Sequence, residues 1–347
     1  MVRTRQGLRA SVHVYGKASW MVRTRRSLRA SREAELAREQ AFPNASRYNR
    51  LDVLILHIIF HPLNFCQMKT LLFLLACLSA QALCAQSPAS DSSLYGKNDK
   101  VGRYVKTRGF NMYYETYGKG APLLIIHGNG GSIENFKYQI PYFSQQYKVI
   151  LADSRAQGKS IDTSDSLSYE MMADDLNALL DTMHLDSCYV IGWSDGGING
   201  LLLAMRHPGK VKKLAVTGAN LWPDTTAVDP FVYHMVMNYN KEVEKMPKTA
   251  ETKASLKLLH LLSYEPNITT QQLRRIQCPT LVIGGDHDVI LPQHTMLIAQ
   301  SIPQSYLWIL PDSGHSTPIF YKELFNQVIA DFFRKPYRKI EGVKRFE

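Results

Sequence analysis

The sequence predicts an α/β fold in which a mostly parallel sheet is covered by helices on both faces and carries a small helical cap. From about residue 103, short apolar runs rich in β-branched residues alternate with stretches of helical periodicity. This alternation is typical of parallel strands buried between two layers of helices. A single interruption of the pattern, near residues 221–270, indicates the cap. The 347-residue chain is long enough to enclose one large core.

The strands and helices follow one another in a regular order. An early strand is predicted at residues 111–117, and a fully buried one at residues 122–127 ends in a glycine-rich turn. The helix predicted at residues 169–183 places Leu176, Leu179 and Leu180 on one face. The remaining predicted strands are residues 148–152, 188–192, 213–217, 280–283 and 306–310, and the remaining helices are residues 196–206 and 320–333.

The interrupted segment lacks strand signals and contains helical pieces at residues 231–237 and 254–262. An all-helical insertion after a sheet strand is typical of a cap over an active site, although a surface excursion would give the same pattern. The sequence therefore predicts one domain over residues 86–347, with the cap inserted at about residues 221–270.

The basic charge of the chain is concentrated near its start. Residues 1–67 hold 12 Lys and Arg against 4 Asp and Glu, whereas residues 86–347 hold 28 against 26. The predicted domain thus has no strong field of one sign that would attract a nucleic acid, and no nucleic-acid partner is expected.

A second beginning lies inside the chain at Met68. Lys69 precedes an apolar run at residues 71–80, and small residues follow, which together predict a secretory signal peptide over residues 68–85. The run is shorter than the roughly 20 apolar residues that a membrane-spanning helix needs. We expect an exported, periplasmic or secreted protein cleaved after Ala82 or Ala85, with lipidation at Cys84 as the alternative.

Residues 1–67 precede this signal and contain an internal repeat, since residues 1–5 and 21–25 are identical. The repeat has no hydrophobic periodicity that would allow it to stack. We interpret residues 1–67 as an upstream extension that the native protein lacks. An organelle-targeting leader and a disordered tail are the alternatives.

Two cysteines remain after the predicted cleavage at Ala85, and each stands at the start of a predicted strand. We expect Cys188 and Cys278 to be buried free thiols, with a disulfide between them as the alternative. No pair or cluster of Cys and His indicates a metal site, and no metal or other cofactor is expected.

A nucleophile is predicted at Ser194, in the motif Gly-Trp-Ser-Asp-Gly at residues 192–196. A Gly-x-Ser-x-Gly motif between a strand and a helix describes a sharp turn that lifts the serine hydroxyl above the sheet. Gly192 and Gly196 are needed because side chains there would collide where strand and helix pack closely.

A serine hydroxyl needs a base to accept its proton and a carboxylate to orient that base. His315, just after the last predicted strand, is the predicted base. Asp288 is the predicted acid because it precedes a short apolar stretch that ends in proline, and Asp286 is the alternative. Two further histidines are expected at the surface: His287 and His294.

Two backbone N–H groups are predicted to form an oxyanion hole. One belongs to Asp195, at the start of a helix, and the other to Asn129, in the glycine-rich turn. On this prediction both side chains are left for other contacts. Three nearby residues are expected to be structural: His127, Asp153 and Arg155.

The order of these motifs resembles the α/β-hydrolase superfamily over about residues 103–335. Gly-Trp-Ser-Asp-Gly-Gly-Ile at residues 192–198 and Gly-Ala-Asn at residues 218–220 are similar to the valacyclovir hydrolase (biphenyl hydrolase-like) group. In that group the acidic residue after the nucleophile binds the α-amino group of amino-acid esters. The resemblance therefore implies that Asp195 also binds substrate, as an anchor for an ammonium group.

Together these features predict a serine hydrolase that cleaves a small-molecule ester, amide or thioester through an acyl-enzyme, with α-amino-acid esters as the class that Asp195 implies. Two alternatives remain: a carbon–carbon bond hydrolase with the same triad, and a capped module that binds a small ligand without catalysis. Haloalkane dehalogenases and epoxide hydrolases of this fold are excluded because their elbow residue is Asp. The sequence leaves the oligomeric state open.

Overall fold

The computed structural model describes residues 94–346. The chain divides into two units, residues 1–87 and 88–347, and all elements below belong to the second. The predicted extension (residues 1–67) and signal peptide (residues 68–85) lie outside the described residues. Eight strands form a single sheet within the described part: β1 Arg103–Thr107, β2 Phe110–Tyr117, β3 Ala121–Ile126, β4 Tyr147–Ala152, β5 Cys188–Trp193, β6 Val211–Thr217, β7 Thr280–Gly285 and β8 Ser305–Leu310.

The sheet runs in the order β1-β2-β4-β3-β5-β6-β7-β8. Strands β1 and β2 are antiparallel to their neighbours, and every pair from β4 to β8 is parallel. The carboxyl ends of the parallel strands share one edge, so the turns after β3, β5, β6, β7 and β8 lie along it. Ligands of parallel α/β sheets bind at this edge.

Helices cover both faces of the sheet. They are α1 Ile140–Phe143, α2 Tyr169–Thr182, α3 Asp195–Arg206, α4 Pro230–Lys245, α5 Ala250–Tyr264, α6 Thr270–Leu273, α7 Pro292–Ser301, α8 Thr317–Phe320 and α9 Lys322–Arg334. Along β3, Leu124 packs in one core with helices α2, α3 and α7, whereas Leu123 and Ile125 pack in a second core with α1 and α9. Successive strand residues point to opposite faces, which explains why the central strands are apolar throughout.

The cap consists of two successive helices, α4 and α5. Asp229 caps α4 by accepting hydrogen bonds from the N–H groups of Phe231 and Val232, and the Thr249 side chain caps α5. Both helices extend beyond the predicted pieces because their exposed turns carry polar residues that weaken the apolar pattern. The α/β class with a helical cap, predicted from the sequence, is confirmed.

Two elements differ from the sequence prediction. Strand β1 was not predicted, because Arg-Tyr-Val-Lys-Thr is an edge strand with little buried apolar surface. The single helix predicted at residues 320–333 is two helices that meet at Tyr321, whose φ of −114° and ψ of 32° are not helical. The Tyr321 hydroxyl donates a hydrogen bond to the carbonyl of Asp312 at 2.6 Å, which holds the chain at this corner.

Cys188 and Cys278 are both buried and unpaired, as expected. Burial raises the pKa of the Cys188 thiol to about 12 and that of Cys278 to about 11, so both stay protonated near neutral pH. No helix between residues 94 and 346 has the length and apolar character that crossing a membrane requires.

Candidate active site

Ser194 lies in the sharp turn between β5 and α3. Its φ of 57° and ψ of −123° are strained for a residue with a side chain, and its N–H donates to the Thr217 carbonyl at 2.9 Å. A Cβ on Gly192 would lie 2.1 Å from the Gly196 carbonyl oxygen, and one on Gly196 would lie 2.0 Å from that of Ile126. The turn therefore requires glycine at both positions, for the packing reason that the sequence predicted.

The structure brings Ser194, His315 and Asp288 together in one hydrogen-bonded chain. His315 Nε2 lies 2.9 Å from Ser194 Oγ, and His315 Nδ1 lies 2.7 Å from Asp288 Oδ1. Asp288 is buried, and the same oxygen accepts a hydrogen bond from the Ile290 N–H at 3.1 Å. An Nδ1–H that donates to Asp288 leaves the Nε2 lone pair facing the serine hydroxyl, which is the arrangement that a general base requires.

Asp286, the alternative acid, faces away from His315. Its carboxylate accepts a hydrogen bond from the Ser313 N–H at 3.0 Å and pairs with His287 Nδ1 at 2.8 Å. The hydrogen bond from His287 lowers the pKa of Asp286 to about 2. Asp286 therefore braces the loop that carries His315, and His287 is exposed as expected.

The expected surface position of His294 is wrong. Its side chain is buried in α7, and Nε2 accepts a hydrogen bond from the Leu221 N–H at 3.0 Å. Burial lowers its pKa to about 4, so the ring is neutral and serves as a fixed acceptor where the chain enters the cap. A histidine near the start of a short helix gives no sequence signal that distinguishes this role from a solvated one.

Asn129 and Asp195 lie beside the nucleophile, on the turn after β3 and at the first position of α3. The first N–H groups of a helix have no acceptor within the helix, so the Asp195 N–H at the elbow can face a ligand. The N–H of Asn129 has no acceptor among the described residues. Both residues line the cavity that contains Ser194.

The side chains of these two residues bind each other. Asn129 Nδ2 donates to Asp195 Oδ2 at 2.8 Å and to the carbonyl of Leu258, in cap helix α5, at 3.2 Å. Burial raises the pKa of Asp195 to about 6, although hydrogen bonds from Asn129 and the Tyr169 hydroxyl partly oppose that shift. A carboxylate thus stands next to the nucleophile in a position where its charge is costly.

The cavity above Ser194 has a volume of about 430 Å³. One part of its wall is apolar and comes mainly from the cap and the acid loop. The other part carries polar groups close to the nucleophile. The apolar residues include Val228, Val232, Val236, Leu262, Val289 and Ile290, and the polar ones include Asn129, Tyr169, Asp195, Asn220, Glu265 and His315.

His127 and Asp153 support the glycine-rich turn. His127 Nδ1 lies 2.8 Å from the Gly128 carbonyl oxygen, and Nε2 accepts a hydrogen bond from the Ser154 N–H at 2.9 Å. Asp153 accepts hydrogen bonds from the N–H groups of Ile133 and Lys159. The hydrogen bonds of both side chains are therefore made to the backbone of the protein, in agreement with the expected structural role.

Arg155 is held by acidic side chains at the base of the next turn. Its guanidinium donates to both carboxylate oxygens of Asp175, at 2.6 and 2.7 Å, and lies 3.5 Å from Asp162. Its contacts therefore brace the turn, as expected. Between residues 94 and 346 no group of three or more His, Cys, Asp or Glu side chains is arranged to hold a metal ion.

Sequence reasoning missed three residues of the site. Trp193 Nε1 donates to the His315 carbonyl at 2.8 Å and ties the elbow to the histidine loop. Tyr169, the first residue of α2, and Glu265, just after α5, are far apart in sequence and meet at the cavity. Trp193 occupies a variable position of the Gly-x-Ser-x-Gly motif, and that place in the motif is a sequence signal. Tyr169 and Glu265 belong to no motif, so the sequence contains no signal for either of them.

Known proteins resemble this chain in sequence. The family described as alpha/beta hydrolase fold matches residues 121–263. The serine hydrolase BPHL of Mus musculus is 26% identical over 250 residues, which cover 66% of this chain and 85% of the mouse protein. The 2-hydroxymuconate semialdehyde hydrolase of Pseudomonas sp. (strain CF600) is 25% identical and covers 67% of this chain and 94% of its own length.

A solved structure resembles it as well. Est816, described as an N-acyl homoserine lactone degrading enzyme, aligns with a TM-score of 0.54 and 25% identity, covering 66% of this chain and all of its own. The two relatives named above are hydrolases by name, and residues 121–263, which match the family, include the elbow and most of the cap.

Proposed function

We propose that this chain, which belongs to the α/β-hydrolase superfamily, is a serine hydrolase that cleaves a small-molecule ester through an acyl-enzyme intermediate. The observation that carries the proposal is the continuous chain from Ser194 Oγ through His315 to the buried Asp288. A serine held at strained backbone angles with its base at 2.9 Å is prepared for nucleophilic attack.

The reaction follows from these contacts. Ser194 Oγ attacks the ester carbonyl carbon while His315 Nε2 accepts its proton, and Asp288 stabilises the resulting imidazolium. The negative oxygen of the tetrahedral intermediate accepts hydrogen bonds from the N–H groups of Asn129 and Asp195. The carbon–oxygen bond to the alcohol then breaks as His315 returns the proton to the leaving oxygen. Water, deprotonated by His315, releases the acid and restores Ser194.

The side chain of Asp195 supports α-amino-acid esters as substrates. No Lys or Arg in the described part of the chain forms an ion pair with it, so its charge in the cavity is not balanced by either of these residue types. A substrate ammonium group would supply a cationic partner beside the reacting carbonyl. Asn129 and Tyr169 fix the carboxylate in place for such a contact.

The two alternative functions fit the cavity less well. The carbon–carbon bond hydrolysis that one relative's name indicates would place a dienoate carboxylate in a cavity lined by Asp195 and Glu265 and by no Lys or Arg. The like charges would repel. A module that only binds ligands would not require the backbone strain at Ser194.

A fluorophosphonate probe and p-nitrophenyl esters test the catalytic part of the proposal. We expect the purified protein to be labelled at Ser194 and to release p-nitrophenol from short acyl esters, while Ser194→Ala does neither. Absence of labelling together with absence of ester cleavage would reject the serine hydrolase. Labelling without turnover of esters, with cleavage of a dienoate, would favour the carbon–carbon alternative.

Paired substrates test the amino-ester preference. Valyl and isovaleryl p-nitrophenyl esters have the same branched acyl chain and differ only in the α-amino group. We expect the wild type to favour the valyl ester in kcat/KM by about tenfold and Asp195→Asn to lose that preference. An equal loss with both esters would mean that Asp195 contributes only through its backbone N–H and the geometry of the elbow.

Export remains part of the proposal, because residues 68–85 have the composition of a signal peptide. N-terminal sequencing of the protein isolated from its native cells tests this. A mature terminus at residue 83 or 86 is expected, and peptides from residues 1–67 would contradict the interpretation of that segment as a non-native extension.

A further inference from the structure

The cavity contains a second carboxylate, that of Glu265, just after cap helix α5. Glu265 Oε2 accepts a hydrogen bond from the backbone N–H of Tyr169 at 3.2 Å. The hydroxyl of the same tyrosine bonds to the Asp195 carboxylate, and its ring is fully buried. Asp195 and Glu265 therefore lie near opposite ends of one rigid tyrosine.

The protein provides little positive charge near these two acids. The cavity wall includes no Lys or Arg, and within residues 94–346 neither carboxylate forms an ion pair with one. Burial raises the pKa of Glu265, and the nearby Glu170 raises it further. The hydrogen bond from the Tyr169 N–H opposes this shift, as does His260 on the exposed side of α5. The catalytic cavity thus carries two separated acidic groups for which no protein cation compensates.

We infer that Glu265 is a specificity-determining residue that binds a second ammonium group, so that the preferred substrates are esters of α-amino acids with an amino group on the side chain. The inference rests on the proposed function, in which the α-ammonium group pairs with Asp195. The side chain then extends along Tyr169 towards Glu265. The apolar wall at Leu262 and Val236 contacts its methylene groups, as lysine stems commonly contact apolar surfaces.

Lysine and norleucine benzyl esters provide the test, because the two acyl groups have the same carbon chain and differ in the terminal amino group. We expect the wild type to favour the lysine ester in kcat/KM by about tenfold, as for an ion pair that is partly shielded from water. Glu265→Gln, which keeps the acceptor for the Tyr169 N–H, should bring the ratio close to one because it lowers cleavage of the lysine ester more than that of the norleucine ester.

Glu251→Gln is the matched control, since Glu251 lies in the first turn of the same helix and is exposed. It should leave the ratio unchanged. Inhibition of the wild type by lysine amide and norleucine amide gives a measurement that depends on no variant. The lysine compound should compete about tenfold more strongly.

The two proposals fail in different ways. If Ser194 is labelled and the norleucine ester is cleaved, but lysine and norleucine compounds are treated alike, the inference about Glu265 is wrong and the proposed hydrolase stands. An equal loss of both esters in Glu265→Gln would also overturn it, because a merely structural role gives that result. Absence of labelling and of all ester cleavage would reject the proposed function itself.

Discussion

Gly218, the residue after β6, lies directly against the ring of His315. A Cβ on Gly218 would stand 2.7 Å from His315 Cε1 and 2.9 Å from Nδ1, and the φ of Gly218 is 64°. Because Nδ1 is also the atom that bonds to Asp288, any side chain here would separate the histidine from its carboxylate. Gly218 is therefore a positioning residue for the catalytic base.

Gly218→Ala should lower kcat by about 100-fold or more, since a displacement of a catalytic group by about 1 Å can cost that much. Ester hydrolysis by the purified variant measures the effect. Gly342→Ala is the control for backbone strain, because Gly342 has a similar φ of 55° and open space around its Cβ position. If both variants keep near-normal activity, the contact between Gly218 and His315 is not limiting.

Trp193→Phe removes the indole N–H that holds the His315 carbonyl at 2.8 Å. We expect kcat to fall about fivefold with KM nearly unchanged, because one hydrogen bond contributes about 1 kcal/mol and the loop that it fixes carries the base. The separation of kcat from KM distinguishes this positioning role from damage to the cavity. Trp222→Phe, which removes an indole hydrogen bond to Thr226 in the segment before cap helix α4, should leave kcat unchanged.

The sheet was predictable because its central strands are buried on both faces. Leu124 and Ile125 point to opposite cores and are both fully buried, so the strand is an unbroken apolar run. Edge strand β1 has exposed Arg103 and Tyr104 and left no such run. Hydrophobic periodicity in a sequence indicates which residues are buried. It does not detect strands that are held mainly by backbone hydrogen bonds at the edge of a sheet.

The nucleophile was predictable because its geometry imposes local sequence requirements. Gly192 and Gly196 are fixed by contacts within a few ångströms of the same turn. Glu265 could not be predicted, because it reaches the site through a hydrogen bond with Tyr169, 96 positions earlier in the chain. Such a pairing depends on how the cap packs against α2, and the local sequence around either residue contains no information about that packing.

Asp288→Ala and Asp286→Ala separate the two acids of one loop. Asp288 bonds to His315 Nδ1 at 2.7 Å, so its loss should lower kcat by about 1,000-fold or more through the wrong tautomer and an unstabilised imidazolium. Asp286 is partly exposed and contacts Ser313 and His287, so its removal should lower kcat less than about fivefold. The reverse order in p-nitrophenyl ester turnover would show that Asp286 is the functional acid.

The preference for amino esters should depend on pH through Asp195. Burial raises the pKa of this carboxyl from 3.8 to about 6, so it is neutral over a range in which an ordinary aspartate is charged. A neutral carboxyl cannot pair with an ammonium group. The ratio of valyl to isovaleryl ester kcat/KM should therefore rise about fivefold between pH 5 and pH 7, since kcat/KM reports the ionisation of the free enzyme.

The ratio isolates Asp195 because any effect of pH that is common to both esters cancels. Above about pH 7.7 the α-amino group of the valyl ester loses its own proton, and the preference should decline again. In Asp195→Asn the ratio should stay low and flat from pH 5 to pH 7. A wild-type ratio that is also flat over this range would mean that the ammonium group does not bind at Asp195.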